Sequence, residues 1–191
     1  KHARSGGGHK VRNTIIAVVV ILVIAIGACG AAFAVSVSQA RDDAETLIED
    51  GPKLLKQLKA GDKASAQKTA ANFAATASDL DNITSNPLWS IASELPVYGS
   101  DVKNVRTMAD VANTLSSKTL IPIVDALPDS GLSKLLTKKG INTEIIQILL
   151  SALGNSSDSI AECAAKVEGM GETHLEQVEE PISKMTSHFS P

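Results

Sequence analysis

Four histidines and two serine–lysine pairs are the side chains of this sequence with the clearest potential for chemistry. No His-Glu-x-x-His spacing occurs and no two cysteines are separated by two residues, so the sequence predicts no metal site. A serine three residues before a lysine can place a hydroxyl beside an amine, but the companion Ser-Asp-Asn and Lys-Thr-Gly elements are absent. We therefore expect no catalytic residue and no cofactor. The residues considered are His2, His9, His174 and His188, Ser65 with Lys68, and Ser100 with Lys103.

The stretch NPLWSIASELPVYGSD contains the only tryptophan and the only tyrosine of the chain. Two neighbouring rings can cradle a sugar or a quaternary amine, but they can also fill a corner between helices. Because no cluster of arginine, asparagine or glutamine accompanies the rings, we favour a structural corner. One proline would start a short helix, a second proline and a glycine would reverse the chain, and an aspartate would cap the next helix. The predicted corner comprises Pro87, Trp89, Pro96, Tyr98, Gly99 and Asp101.

The elements that position this corner are predicted to be helices. Apolar residues recur every three or four positions along most of the 191 residues, and no stretch keeps the strict alternation of a half-buried strand. Only 3% of the residues are aromatic, so aliphatic side chains must supply most of the buried area. The expected fold class is all-α, with an antiparallel helical bundle.

An apolar run near the N-terminus predicts a membrane anchor. Residues 15–35 carry no charged or amide side chain, and a helix of this length, at about 1.5 Å per residue, covers the bilayer core of about 30 Å. Basic residues precede the run and acidic residues follow it, so the positive-inside rule places the N-terminus in the cytoplasm. The sequence thus predicts a basic cytoplasmic tail over 1–13, a single-pass anchor in the lipid bilayer of the cell membrane over 14–37, and an extracytoplasmic helical domain over 38–191.

The two cysteines and the net charge limit the alternatives. Cys29 lies within the apolar run and could instead be the acylated residue of a lipoprotein, although the run continues beyond it, as in an uncleaved anchor. Cys163 lies on an apolar stripe and is predicted to be a small buried residue, so no disulfide is expected. Beyond the apolar run, 14 basic and 21 acidic residues leave a net charge of −7, which argues against nucleic acid or anionic lipid as a partner.

Glycine and proline divide the first part of the outer domain. Gly51 and Pro52 are predicted to interrupt the first helix, Gly61 to end it, and Asp62 to cap the second helix. The short connection predicts that these two helices form an antiparallel hairpin. The second helix has an apolar stripe rich in alanine, which predicts close helix approach: Ala66, Ala70, Phe73, Ala77 and Leu80.

The second part is predicted to hold four more helices. One helix follows the corner, bends near Pro122 and ends before residues 128–131. A short amphipathic helix is expected to stop at Gly140, and a longer one begins at Thr143 and ends at Gly169. The last predicted helix carries an apolar stripe at Leu175, Val178, Ile182 and Met185.

The course of the chain around the corner resembles a family of actinobacterial single-pass membrane proteins that carry a domain of unknown function. The resemblance covers residues 10–130 and implies that this chain is the anchor and helical region of such a protein. It implies no established activity and no functional residue. It rests on a Gly-Asp turn, a Pro-x-Trp, a Pro-x-x-Gly and an Asp-x-x-x-x-Arg pattern: Gly61 and Asp62, Pro87 and Trp89, Pro96 and Gly99, Asp101 and Arg106.

Two functional hypotheses from different classes follow. The first is an envelope protein whose outer helical domain is a non-catalytic spacer or protein-interaction module with an envelope protein as possible partner. The alternative is the ligand-sensing ectodomain of a transmembrane receptor. A signalling domain before Lys1 would favour the receptor, whereas a further domain after Pro191 would favour the spacer.

Overall fold

The computed structural model describes the backbone of residues 8–138 and 140–173, with side chains from residue 30 onward. The described residues are mostly helical, which confirms the all-α prediction. Contacts divide the chain into two units, Lys1–Ser38 and Gln39–Pro191, and the packing below belongs to the second. The elements are α1 (Gly8–Ala60), α2 (Lys63–Thr84), α3 (Pro87–Ala92), α4 (Gly99–Leu115), a π-helical turn (Ser116–Leu120), α5 (Ile121–Ala126), β1 (Leu136–Thr137), β2 (Gly140–Ile141), α6 (Thr143–Asn155) and α7 (Ser157–Glu168).

The predicted membrane span over residues 14–37 requires a correction. Among the residues that the structure describes, no helix is both long enough and apolar enough to cross a bilayer. Side chains up to residue 29 lie outside the described part, and beyond the apolar run α1 carries charges on successive turns. The predictions of a membrane anchor and of a cell-membrane location are therefore wrong, and the lipid contact loses its basis. The charged residues that follow the run are Arg41, Asp42, Asp43, Glu45 and Glu49.

The predicted interruption of the first helix at Gly51 and Pro52 is also wrong, because α1 continues through both residues to Ala60. Proline removes one hydrogen bond to the carbonyl four residues earlier, that of Ile48. Ile48 is exposed, so the missing hydrogen bond lies on the exposed side of α1. Leu54 and Leu58 are buried on the same face after the proline, and this burial outweighs the lost hydrogen bond.

The turn between α1 and α2 follows the sequence prediction. Gly61 has a φ of +78°, and its N–H donates to the Leu58 carbonyl at 3.2 Å. The Asp62 N–H donates to the Gln57 carbonyl at 3.0 Å, which completes the Schellman pattern at a helix C-terminus. The Asp62 side chain then accepts the Ser65 N–H at 3.0 Å as the cap of α2.

Hydrogen bonds at both ends show that α2 runs opposite to α4 and α5. At the start of α2, Lys63 Nζ donates to the carbonyl oxygens of Asp125, at 2.9 Å, and of Leu127. Near its end, Asp81 Oδ2 accepts from Asn113 Nδ2 at 2.9 Å. The carbonyls that Lys63 binds belong to the C-terminal end of α5, where a cation is electrostatically favourable.

Close to Pro122, where the sequence predicts a bend, a π-helical turn joins α4 to α5. Pro122 lacks the N–H that would reach the carbonyl of Lys118. The buried Ser156 hydroxyl donates to that carbonyl at 2.9 Å instead, so the orphaned acceptor gains a partner from another helix. Ser156 also separates α6 from α7, where the sequence predicted one continuous helix from Thr143.

The segment after α5 differs from the predicted short helix. Its N-terminal part is a series of turns in which the Gly131 N–H donates to the Pro128 carbonyl at 2.7 Å. A two-residue β-hairpin follows, in which Leu136 pairs with Ile141 in antiparallel register. Gly140 has a φ of +118°, a conformation that favours glycine and a tight turn. The stop signal at Gly140 therefore closes a hairpin rather than a helix.

Two apolar clusters hold the helices together. Alanines occupy many of the buried positions, as the sequence predicts, and they allow close approach of helices. The larger cluster joins α1, α2, α5 and α6, and the smaller joins α4 to α7. The first contains Leu54, Leu58, Ala66, Ala70, Val124, Leu127 and Ile145, and the second contains Val111, Cys163 and Val167.

Candidate functional site

The corner begins with α3, whose start is capped by a side chain. The Asn86 carboxamide oxygen accepts the backbone N–H of Leu88 at 2.8 Å and of Trp89 at 3.4 Å. Pro87 follows this cap, where its missing N–H would have no helical partner in any case. The short helix therefore has a cap, Asn86, that the sequence interpretation did not name.

The two rings of the corner lie in different environments. Trp89 is 4% exposed, whereas Tyr98 is 52% exposed. A cradle built from both rings would need an accessible indole face, because the ligand must contact both π-systems. This difference favours the structural role of Trp89 over a shared ligand site.

The chain reverses between Pro96 and Gly99 through a backbone conformation that is rare for a branched residue. Val97 has a φ of +78°, and the Gly99 N–H donates to the Leu95 carbonyl at 3.0 Å. A Cβ atom on Gly99 would lie 2.4 Å from the Ser93 carbonyl oxygen. Only glycine can therefore start α4 this close to the preceding turn.

Asp101 does not cap the helix after the corner, which corrects the sequence prediction. Because Gly99 fits against Ser93, α4 starts at Gly99 and Asp101 lies in its first turn, almost fully buried. A carboxylate is favourable there because the N-terminal end of a helix carries partial positive charge. Arg106, the other member of the Asp-x-x-x-x-Arg pattern, is half-buried on the same helix.

Several large apolar side chains of the corner are exposed. Four large apolar side chains within eight residues of the chain are more than half exposed. Scattered apolar residues are normal on a protein surface, but a group confined to one short segment indicates a contact site. We call this group the corner surface: Ile91, Leu95, Val97 and Tyr98.

A second apolar surface lies on α6. Ile145 and Ala152 are buried against the rest of the molecule, yet the neighbouring stripe of the same helix is also apolar. Leu150 in this stripe is 64% exposed. A helix that is apolar on both faces is typical of a helix covered on both faces. We call the exposed stripe the α6 surface: Ile146, Leu150 and Leu153.

Within the described ranges, the side chains with potential for chemistry do not assemble into a reactive group. His2, His174 and His188 and the side chain of His9 lie outside the described residues. Lys103, from one serine–lysine pair, forms an ion pair with Glu94 at 3.3 Å. No group of three or more His, Cys, Asp or Glu side chains with metal-binding geometry occurs among the described residues.

The surroundings of α7 keep the Cys163 thiol and the Lys166 amine in their protonated, unreactive forms. Burial raises the pKa of the Cys163 thiol, so the thiolate is disfavoured at neutral pH. Lys166 Nζ contacts Asp110 Oδ2 at 2.7 Å and Glu162 Oε1 at 2.8 Å. Hydrogen bonds to Asp110 and then to Glu162 raise the pKa of Lys166, which keeps the amine protonated and non-nucleophilic.

Two shallow clefts lie between helices. One, of about 240 Å³, lies between α2 and α5, where Gln67 Nε2 donates to Asp125 Oδ1 at 2.8 Å. The other, of about 450 Å³, lies between α1 and α2 and includes Asp43. Burial, followed by the charges of Asp79 and Asp42, raises the pKa of Asp43. These are open grooves beside charged side chains rather than the enclosed apolar pockets typical of small-molecule sites.

Comparisons of the chain with protein-family models, with curated proteins and with solved structures found no match. The resemblance to the actinobacterial family stays a prediction.

The α6 surface was missed by the sequence interpretation, although a signal for it exists. The predicted helix from Thr143 was assigned one apolar stripe, which includes Ile145 and Ala152. The residues that follow Ile145 and Ala152 by one position, Ile146 and Leu153, are also apolar. Two adjacent apolar stripes on one helix predict two covered faces, of which the described residues cover one.

Proposed function

We propose that the chain is a non-catalytic antiparallel helical bundle that acts as a protein-interaction module through its α6 surface. Three features support a bundle. The cap of α2 starts an antiparallel hairpin, α2 runs opposite to α4 and α5, and α6 and α7 return along them. Ser156 bonds to Lys118 midway along this return, and Gly171 bonds to Asn104 beyond it.

The single observation that carries the interaction role is the exposure of Ile146, Leu150 and Leu153 on one face of α6. Their spacing of four and three residues aligns them over two helical turns. Each fully buried aliphatic side chain contributes about 1.5 to 3 kcal/mol, so covering this stripe would stabilise a complex substantially.

A helix with its own apolar stripe is the partner chemistry that fits this surface. Helix-in-groove recognition uses anchors at positions i, i+3 or i+4, and i+7, which matches the spacing on α6. The hairpin at the N-terminal end of α6 adds two exposed apolar side chains, Leu136 and Ile141, to the same part of the sequence. We propose as partner a different protein that presents an amphipathic helix.

Site-specific photo-crosslinking in the source cell tests this function. A photoreactive residue replaces Leu150 in the full chain, and the matched control replaces Ile48, which is 67% exposed on α1. We expect a discrete adduct with one other protein from position 150 and none of the same mass from position 48.

Three results would contradict the proposal. They are the absence of a discrete adduct at position 150, the same adduct at positions 150 and 48, and an adduct of the chain with a second copy of itself. The last result would mean that the α6 surface is a self-association site instead of a partner site.

The alternative hypothesis, a ligand-sensing domain, stays a prediction without a specific supporting observation. Its transmembrane component depended on the corrected span.

A further inference from the structure

The α6 surface continues at its N-terminal end into the hairpin that precedes the helix. The Asn142 N–H donates to the Leu135 carbonyl at 2.9 Å, and the Asn142 side chain accepts the Glu144 N–H at 3.0 Å. Ile146, the first residue of the α6 surface, follows Asn142 by one helical turn, and its N–H donates to the Asn142 carbonyl at 3.3 Å. The hairpin therefore lies directly at the N-terminal end of the apolar stripe.

The hairpin presents both apolar and basic side chains. Leu136 and Ile141 are partners across the two strands, which places both exposed side chains on one face of the hairpin. Lys134 precedes β1, Lys138 lies between β1 and β2, and both side chains are exposed. In the part of the chain that the structure describes, neither lysine forms an ion pair. Two apolar contacts and two cations are thus available to a partner.

No acidic side chain of α6 opposes these lysines beside the apolar stripe. The only charged residue of α6 is Glu144, and at about 100° per residue it lies about 160° around the helix from Ile146. On the N-terminal side, Asp129 precedes Lys134 by five residues, and on the C-terminal side Asp158 lies in the first turn of α7. The charge beside the stripe is therefore positive at the hairpin end and negative beyond the other end.

This charge distribution indicates the chemistry of the partner. We propose that the partner helix carries acidic side chains at the end that lies over the hairpin, where they pair with Lys134 and Lys138, while its apolar stripe covers Ile146, Leu150 and Leu153. This inference rests on the proposed function, because it names the chemistry of the protein that binds the α6 surface. Charges at the rim of an interface act mainly on the association rate and on the choice between partners. They select an acidic amphipathic helix over a basic one.

A single helix fits this surface better than an anionic membrane does. Beyond the apolar run the chain carries 14 basic and 21 acidic residues, so a large anionic surface would also meet the acidic groups that dominate the rest of the chain. The two lysines of the hairpin are a local exception to this charge balance. A helix that contacts only α6 and the hairpin pairs with these lysines without meeting the other acidic side chains.

Two synthetic amphipathic peptides test this preference with the full chain. Both have about 20 residues on an alanine background, which supports an isolated helix, and both carry leucines at the spacing of the α6 surface. One peptide carries glutamates in one half, and the other carries lysines at the same positions. Each is made with the charges in its N-terminal or its C-terminal half, so that either orientation on α6 can place them over the hairpin. Fluorescence anisotropy at low salt gives the dissociation constants.

We expect the acidic peptide, in its better orientation, to bind the wild type about tenfold more tightly than the basic peptide. The preference should fall below about twofold near 1 M salt, where the Debye length is about 3 Å. It should disappear when Lys134→Gln is combined with Lys138→Gln, and it should reverse when Lys134→Glu is combined with Lys138→Glu. Circular dichroism of each variant shows whether the helix content is unchanged.

The matched control combines Lys56→Glu with Lys68→Glu, which changes the total charge by the same amount. Both control lysines are exposed, and each lies two residues from buried residues of its helix, so it points away from the core. The control should keep the wild-type preference for the acidic peptide. A preference that persists in the Lys134 and Lys138 variants, or that is lost equally in the control, would overturn the inference.

Leu150→Glu separates this inference from the proposed function. If both peptides bind equally well and Leu150→Glu weakens both, the inference is overturned while the α6 surface remains the binding site. If neither peptide binds, or if Leu150→Glu leaves peptide binding unchanged, the inference is also overturned, and crosslinking at position 150 still tests the proposed function independently. Binding of the wild type to phosphatidylserine vesicles but not to the acidic peptide would overturn it in favour of a lipid surface.

Discussion

At the scale of single residues, the corner shows that residue type alone does not predict whether a side chain is buried. Trp89 and Tyr98 are both aromatic residues of one short segment, yet one is buried and the other is exposed. Tryptophan fills the space beneath the corner because its large ring contributes most when no face remains wet. Tyr98 is more than half exposed, so its polar hydroxyl does not have to be buried. Structural and surface roles are thus divided between two neighbouring rings.

The Trp89→Ala variant should lose about 3 to 5 kcal/mol of unfolding free energy, because buried area and packing are lost together. Tyr98→Ala is the matched control and should change stability within about 1 kcal/mol, since half of its ring is already exposed. Urea unfolding followed by circular dichroism measures both variants. A loss with Tyr98→Ala as large as with Trp89→Ala would show that the exposed ring, too, holds the corner together.

The buried Ser156 hydroxyl lies within hydrogen-bond distance of two carbonyl oxygens, that of Lys118 at 2.9 Å and that of Ala152 at 3.0 Å. Removing this hydroxyl in Ser156→Ala leaves the Lys118 carbonyl without the donor that Pro122 fails to supply. We expect a loss of about 1 to 3 kcal/mol in unfolding free energy. The adjacent exposed residue provides the control, and Ser157→Ala should change stability within about 0.5 kcal/mol. Equal effects of the two variants would refute the role of this hydrogen bond.

At the scale of elements, the sequence predicts the ends of helices better than their interruptions. Gly61 and Asp62 specify a helix end and a cap through local hydrogen bonds, and the structure contains both. Pro52 also acts locally, but its effect is overcome by the burial of Leu54 and Leu58, which depends on distant partners. The hairpin at Gly140 was missed because two-residue strands are too short for an alternating pattern.

Because Asp62 caps α2 with an ionisable side chain, the free energy of unfolding should depend on pH. Hydrogen bonds from the side chain and backbone of Ser65 lower the pKa of Asp62 below its unfolded value. The ionised cap therefore stabilises the fold above about pH 4 and loses its contribution as the pH falls through the folded pKa. In Asp62→Asn the cap cannot titrate, so the wild type should lose stability relative to this variant on acidification. If the difference in unfolding free energy between the wild type and Asp62→Asn does not change with pH, the ionised Asp62 does not stabilise α2 as a cap.

Two glycines provide a matched test of backbone geometry. Gly131 has a φ of +53°, and an added Cβ would lie 2.6 Å from the Leu58 carbonyl oxygen. Gly154 lies within α6 with nothing within 4 Å of an added Cβ. Gly131→Ala should destabilise the protein by more than about 1 kcal/mol, whereas Gly154→Ala should stabilise it by about 0.5 to 1 kcal/mol. Thermal unfolding that ranks the two variants in the opposite order would refute the close packing of Gly131 on α1.

At the scale of the whole molecule, the all-α class and the burial of Cys163 follow from apolar periodicity, whereas the functional surfaces do not. Periodicity shows which residues are apolar on a helix face. Which of two apolar faces remains uncovered depends on the number and order of packed helices, so Leu150 could not be separated from Leu149 by sequence. The membrane anchor inferred from residues 14–37 shows the same limit, since an apolar run does not establish what surrounds it.

The central claim is that the α6 surface binds a partner protein, and one binding measurement tests it most directly. The partner recovered by crosslinking is titrated with the wild type, with Leu150→Glu and with the control Ile48→Glu. We expect Leu150→Glu to weaken the dissociation constant at least about tenfold, because a charge replaces a buried anchor, while Ile48→Glu changes it less than about twofold. Equal affinities of the wild type and Leu150→Glu would contradict the claim.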